Sequence, residues 1–127
     1  MSTEIVTALQ MIDALELAVV FGSVAQGTAR FDSDLDIAVR YTSPLDAEQK
    51  LALIRALGAA TGRPVDLIDL RPAGPIVARE ALTKGKRIFG SDTDFAGQLS
   101  RTLIDYADFA PLIERTLRER RDAWMKA

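Results

Sequence analysis

Apolar residues recur at helical spacing from Thr3 to Leu15 (Ile5, Ala8, Met11, Ile12, Leu15), which predicts an opening helix. The pattern then changes. Leu17 to Phe21 is a short run rich in β-branched residues ended by Gly22, which reads as a buried strand. Leu35 to Tyr41 alternates, placing Leu35, Ile37 and Val39 on one face and Asp34, Asp36 and Ala38 on the other. Ser43-Pro44 has the form of a helix start, with Ser43 as N-cap and Pro44 in the first turn. Leu45, Leu51, Ile54 and Leu57 form that helix's inner stripe, and Gly58 or Gly62 ends it. A third strand follows at Val65 to Leu70, then a helix from about Pro75 to Lys84 and a short strand near Arg87 to Phe89. From Asp92 onward the apolar stripes predict two helices meeting near Pro111: Phe95, Leu99, Leu103 and Tyr106, then Leu112, Ile113, Leu117 and Trp124. The sum is an α/β domain with a small mixed β-sheet and flanking helices.

Composition narrows the chemistry. The 127 residues suit a single domain, and they include no cysteine and no histidine. Thiolate nucleophiles, imidazole bases and the usual zinc sites are excluded, so any metal must be held by oxygens. Oxygen ligands favour a hard cation such as magnesium, manganese or calcium. The longest apolar stretch, around Leu15 to Ala25, is interrupted by Glu16, Gly22 and Ser23. Neither a signal peptide nor a membrane span is expected, and a cytoplasmic location is the default expectation. The formal net charge of −2 hides an asymmetry. Residues 1–70 carry 5 Lys/Arg against 10 Asp/Glu, and residues 71–127 carry 11 against 8. An acidic site in the first part and an anion-facing or partner-facing surface in the second would produce that split.

The candidate site lies between Phe21 and Tyr41. Gly22-Ser23 falls where a strand hands over to a helical turn, a junction that exposes backbone N–H groups to an anion such as phosphate. Ten residues separate Ser23 from Asp34-Leu35-Asp36. A spacing of two along a strand sends both carboxylates to the same side, where a shared cation would relieve their repulsion. Asp66 stands in the third apolar strand and can complete a three-carboxylate set if the second and third strands are neighbours. Asp69, of opposite parity, is the fallback.

Gly22-Ser23, Asp34-X-Asp36 and the apolar-Asp-apolar strand around Asp66 resemble the signature of the polymerase-β-like nucleotidyltransferases. The length and the run Gly27-Thr-Ala-Arg-Phe-Asp-Ser-Asp-Leu-Asp36 are most similar to the minimal nucleotidyltransferases, the MntA-type antitoxins encoded beside HEPN-domain toxins. The resemblance implies one nucleotidyltransferase domain over 1–127, with a catalytic core at about 15–90 and a helical segment at about 92–127. It implies ATP as donor and a tyrosine of a HEPN RNase toxin as acceptor. Two magnesium ions would sit on Asp34, Asp36 and Asp66, with Gly22 and Ser23 gripping the β- and γ-phosphates. Many members have Ala-Arg-Gly where this chain has Ala25-Gln26-Gly27. Gln26 keeps a hydrogen-bonding group without the charge, and Arg30 in the same loop can supply it. The Asp105–Trp124 region, with its Arg115, Arg118, Arg120 and Arg121 cluster, either docks that partner or forms a helix pair covering the sheet. A small-molecule adenylyltransferase resembling the aminoglycoside enzymes and an antitoxin acting by contact alone are the competing readings. Nucleic-acid polymerisation lacks the long basic groove it would need.

Overall fold

A computed structural model describes residues 1–30 and 32–126. Its elements are α1 (Ser2–Leu9), β1 (Leu15–Phe21), α2 (Gly22–Gln26), β2 (Leu35–Tyr41), α3 (Ala47–Thr61), β3 (Val65–Asp69), α4 (Pro75–Lys84), β4 (Lys86–Phe89) and α5 (Asp92–Lys126). The four strands form one mixed sheet in the order β3-β2-β1-β4. β1 pairs antiparallel with both β2 and β4, and β2 pairs parallel with β3.

Alternation along the strands splits the core in two. Ala18 and Val20 of β1 and Leu35, Ile37, Val39 and Tyr41 of β2 face α1 and α3, where Ile5, Leu9, Leu53 and Leu57 are buried against them. Leu17, Val19, Phe21 and Ala38 face the other way, onto Ala78, Ala81 and Leu82 of α4 and onto Phe95 and Leu99 of α5. The Tyr41 hydroxyl donates to the Leu9 carbonyl at 2.6 Å, tying the end of α1 to the sheet. Burial pushes that hydroxyl's pKa up.

Leu51, expected in the inner stripe of α3, is 47% exposed, and Leu53 takes the buried place beside Leu57. Three further expectations are corrected. The first helix stops at Leu9 instead of Leu15. Its end tightens into i→i+3 bonds, Met11 N–H to Ala8 and Ile12 N–H to Leu9, and the chain turns through Ala14 at φ 69° before β1. Ser43 does not cap α3; Asp46 does. The Asp46 carboxylate accepts from Gln49 N–H at 2.7 Å and the Gln49 side chain accepts from Asp46 N–H at 3.1 Å, a reciprocal capping box that leaves Ser43, Pro44 and Leu45 in the connection. Gly62, at φ 68°, closes the helix.

The third correction concerns the C-terminal segment, which is one helix of 35 residues running through Pro111. Proline removes the bond to the Ala107 carbonyl, but Ala107 is exposed, so water can satisfy that oxygen and the helix continues. α5 is about 52 Å long at 1.5 Å per residue. Its N-terminal part is held as far as Tyr106, whose ring lies 4.6 Å beneath the Arg79 guanidinium of α4. Arg40 reaches α5 from β2, contacting Gln98 Oε1 at 3.3 Å and Asp94 Oδ1 at 3.2 Å, and is itself paired with Glu16 at 2.9 Å. Gln98 and Thr102 are its buried residues. Beyond Thr102 no described residue of α5 is buried, and from Glu114 to Lys126 every one is exposed. Among the described residues, no helix is long and apolar enough to cross a membrane.

Candidate active site

β2 and β3 are parallel neighbours in a register that sets Asp36 directly beside Asp66. On its other side Asp36 pairs with Phe21, the last residue of β1. The next residue is Gly22, at φ 70°, which opens the single turn of α2. A Cβ at Gly22 would lie 2.2 Å from Asp36 Oδ2, so the carboxylate occupies the space that any side chain would fill. Gly22 thus meets a demand beyond phosphate approach: it makes room for Asp36.

Electrostatics mark the same place. The Asp36 carboxyl is held above the usual carboxylate range, first by burial, then by the charges of Asp66 and Asp34 and by a hydrogen-bonding contact with Asp66. Asp34 and Asp66 are exposed, Asp34 just ahead of β2. Among the described residues no three acidic side chains converge as a ready-made metal cluster. The paired Asp36 and Asp66 are in place, and Asp34 is near enough to act on Asp36 by charge. Three carboxylates repel until a cation joins them, so an open arrangement suits an all-oxygen donor set for a hard divalent ion.

Ser23 is half-buried in α2, while Gln26 and Arg30 are exposed, Gln26 at the end of α2 and Arg30 in the loop that follows. Gly27 ends the turn at φ 73°, where Thr28 N–H bonds back to the Ser23 carbonyl at 3.1 Å. Asp69 takes no part in the site. It is 4% exposed, and its carboxylate accepts from Leu45 N–H at 2.8 Å and from Arg71 N–H at 3.0 Å. Asp69→Ala should therefore lose about 1–3 kcal/mol of stability, measured by denaturant unfolding, because the buried Leu45 N–H loses its acceptor. Metal binding by that variant should be unchanged.

Arg63, just ahead of β3, is a site neighbour that no sequence pattern singles out. Its Nη1 donates to the carbonyls of Arg30 at 2.6 Å and Ser33 at 3.0 Å, both far earlier in the chain. The parallel pairing of β2 and β3 is the only signal that could have brought it forward, since both segments enter the sheet at the same end.

A glycine turn after one strand, an Asp-X-Asp at the head of the next and an acid in register on a third mark a candidate nucleotide-transfer site. The family described as polymerase beta, nucleotidyltransferase matches residues 3–94. The chain belongs to this nucleotidyltransferase family. Over 83 residues the nucleotidyltransferase is 39% identical to protein adenylyltransferase MntA of Shewanella oneidensis, a match covering 65% of this chain and 60% of that protein's length. It also superposes on a chain of a toxin–antitoxin complex solved with AMP-PNP, with a TM-score of 0.83 and 31% identity over 91% of this chain and 98% of the other. A tri-AMPylated Shewanella oneidensis HEPN toxin in complex with its MNT antitoxin gives a TM-score of 0.76 and 28% identity over 91% and 95% of the two chains. Coverage that wide takes in most of α5 as well as the sheet.

Proposed function

We propose that this nucleotidyltransferase is an antitoxin that moves AMP from ATP onto a tyrosine hydroxyl of a HEPN-type RNase toxin and so silences it. The observation that carries the reading is the registered Asp36–Asp66 pair closed by Gly22, two acids whose mutual repulsion a shared cation would relieve. Likeness to MntA and to the AMPylated toxin complex supports the choice of donor and acceptor.

Asp34, Asp36 and Asp66 would hold magnesium, which when bound lowers the pKa of the attacking hydroxyl and neutralises charge on the triphosphate. The chain's own residues do the rest. Gly22 and Ser23 offer the α2 turn to the β- and γ-phosphates, with Gln26 and Arg30 alongside. Asp66, exposed at the open edge of the pair, accepts the tyrosine proton. The tyrosine oxygen bonds to the α-phosphorus, the bond from that phosphorus to the bridging oxygen breaks, and pyrophosphate leaves. Positioning and charge supply most of the rate, so a site without cysteine or histidine suffices.

The free half of α5 is the surface we assign to the toxin. Leu112 and Leu117 are 52% and 60% exposed, and Phe109, Ile113 and Thr116 line a shallow groove beside them. Arg115, Arg118, Arg120 and Arg121 stand on the same stretch. Leu112→Glu with Leu117→Glu should abolish co-purification with the toxin and leave the melting temperature within about 2 °C, since neither side chain is part of the core. Retained co-purification would reject this surface.

The direct test supplies ATP labelled at the α-phosphate, magnesium and the toxin encoded beside this chain. Label should appear on the toxin, and label placed at the γ-phosphate should not. Transfer of the γ-label, or of neither, would overturn the proposal.

A further inference from the structure

The segment between α2 and β2 carries Arg30 and Asp34, two groups on which nucleotide and metal binding are proposed to depend, yet its described residues lie in no helix or strand. Its internal bonds are local: Arg30 N–H to Ser33 Oγ at 2.8 Å, and Ser33 N–H to the Arg30 carbonyl at 3.1 Å. Among the described residues, the one side chain from elsewhere in the sequence that hydrogen-bonds to it is Arg63. A single nitrogen, Nη1, donates to both the Arg30 and the Ser33 carbonyls. The second of those carbonyls belongs to the peptide group that leads directly into Asp34.

Arg63 is itself firmly placed. Gly62, at φ 68°, ends α3 with its N–H on the Gly58 carbonyl at 2.8 Å. Pro64 then accepts from Leu35 N–H at 2.8 Å, which starts the β2–β3 ladder, and two residues later Asp66 meets Asp36. One short stretch, 62–66, therefore fixes the clamp and the third carboxylate together. Charged donors to carbonyls make short, strong bonds, and the 2.6 Å contact is of that kind.

We infer that Arg63 is a positioning residue for the nucleotidyltransferase site: by holding the Arg30 and Ser33 carbonyls it aims Asp34 at the Asp36–Asp66 pair and keeps Arg30 beside the nucleotide. This rests on the metal-site reading above. Groups that orient a metal's ligands typically change metal affinity or activity by about 10- to 100-fold when removed. Arg63→Met keeps the apolar stem and removes the donors. Arg63→Lys keeps one charged nitrogen able to serve both carbonyls, which is all that the arginine uses here.

The experiment titrates manganese, in the presence of α,β-methylene ATP, into the wild-type chain and into Arg63→Met, Arg63→Lys and Asp34→Asn, following free manganese by electron paramagnetic resonance. Amide exchange of the same proteins is followed in parallel. Arg63→Met should weaken manganese binding about 10- to 100-fold and speed exchange in the peptide spanning 28–35, while residues 37–39 of β2 stay protected. Arg63→Lys should recover most of both. In toxin AMPylation, excess manganese should restore Arg63→Met toward the wild-type rate and should not restore Asp34→Asn. Unchanged manganese binding by Arg63→Met, or loss of protection spread equally over β2, would overturn the inference and leave the site reading intact. If wild type binds no manganese, or Asp34→Asn binds it normally, the site reading falls and the inference falls with it.

Discussion

Asp36→Asn should abolish AMP transfer while making the metal-free protein more stable. The two effects have one cause. Asp36 is flanked by Asp66 in register and by Asp34 two residues before it, and it is the most enclosed of the three. Burial and both neighbours oppose its charge. Asparagine keeps the shape, removes the repulsion and loses the ability to hold a cation between the strands. A like-charged pair directly across a ladder costs roughly 0.2–1 kcal/mol, so the variant's melting temperature in chelator should rise by about 1–5 °C. Activity should fall by about 1,000-fold or more, because metal stabilisation of the transition state contributes several kcal/mol.

The pH dependence has a definite sign. With its pKa raised in the folded state, Asp36 binds more protons folded than unfolded between its ordinary value of 3.8 and its raised one. Wild-type stability relative to Asp36→Asn therefore declines as pH rises through that window and stays lower above it. Calorimetry of the metal-free pair should show the variant's advantage at neutral pH shrinking toward zero as the pH is lowered. A variant less stable than wild type at neutral pH would show that the acids do not repel as described.

Gly22→Ala is the second large effect. A left-handed backbone costs an L-residue roughly 1–2 kcal/mol, and Gly22 sits at φ 70°. The added methyl would also stand 2.2 Å from Asp36 Oδ2 and 3.1 Å from its Cγ. The Asp36 side chain can rotate away, so the fold should survive with a loss of about 1–2 kcal/mol. On the proposed mechanism the rotated Asp36 carboxylate leaves its place in the site, and a displacement near 1 Å is enough for about a 100-fold loss of transfer. Gly27→Ala separates the two causes. Gly27 has almost the same φ, 73°, but a methyl group added there would meet nothing within 4 Å, so this variant should lose similar stability and far less activity. Equal activity losses in the two variants would remove the Asp36 contact from the explanation.

Much of this arrangement is legible in the residues. The alternation over Leu35 to Tyr41 gives the bounds of β2 and the faces of its side chains, because apolar residues at every second position with Asp36 and Arg40 between them have few alternatives to a strand. The pairing of Asp36 with Asp66 follows once β2 and β3 are neighbours, and the opposite parity of Asp69 sends it to a backbone N–H instead. Local competition hides other features. Ser43-Pro44 and Asp46-x-x-Gln49 are both valid helix starts, and the reciprocal bonds of the second decide between them. Pro111 stops a helix whose missing bond is costly, but α5 has left the domain by then and meets water there. Arg63 shows no periodicity or motif, since its partners are backbone carbonyls far away in the chain.

The central claim is transfer of AMP to the toxin by the Asp34, Asp36 and Asp66 site, and intact-mass spectrometry of the toxin tests it most directly. Incubated with ATP, magnesium and the wild-type chain, the toxin should gain whole AMP units that peptide mapping places on a tyrosine hydroxyl, and none with Asp36→Asn. An unmodified toxin that is nonetheless bound and silenced, or equal modification by the variant, would contradict it.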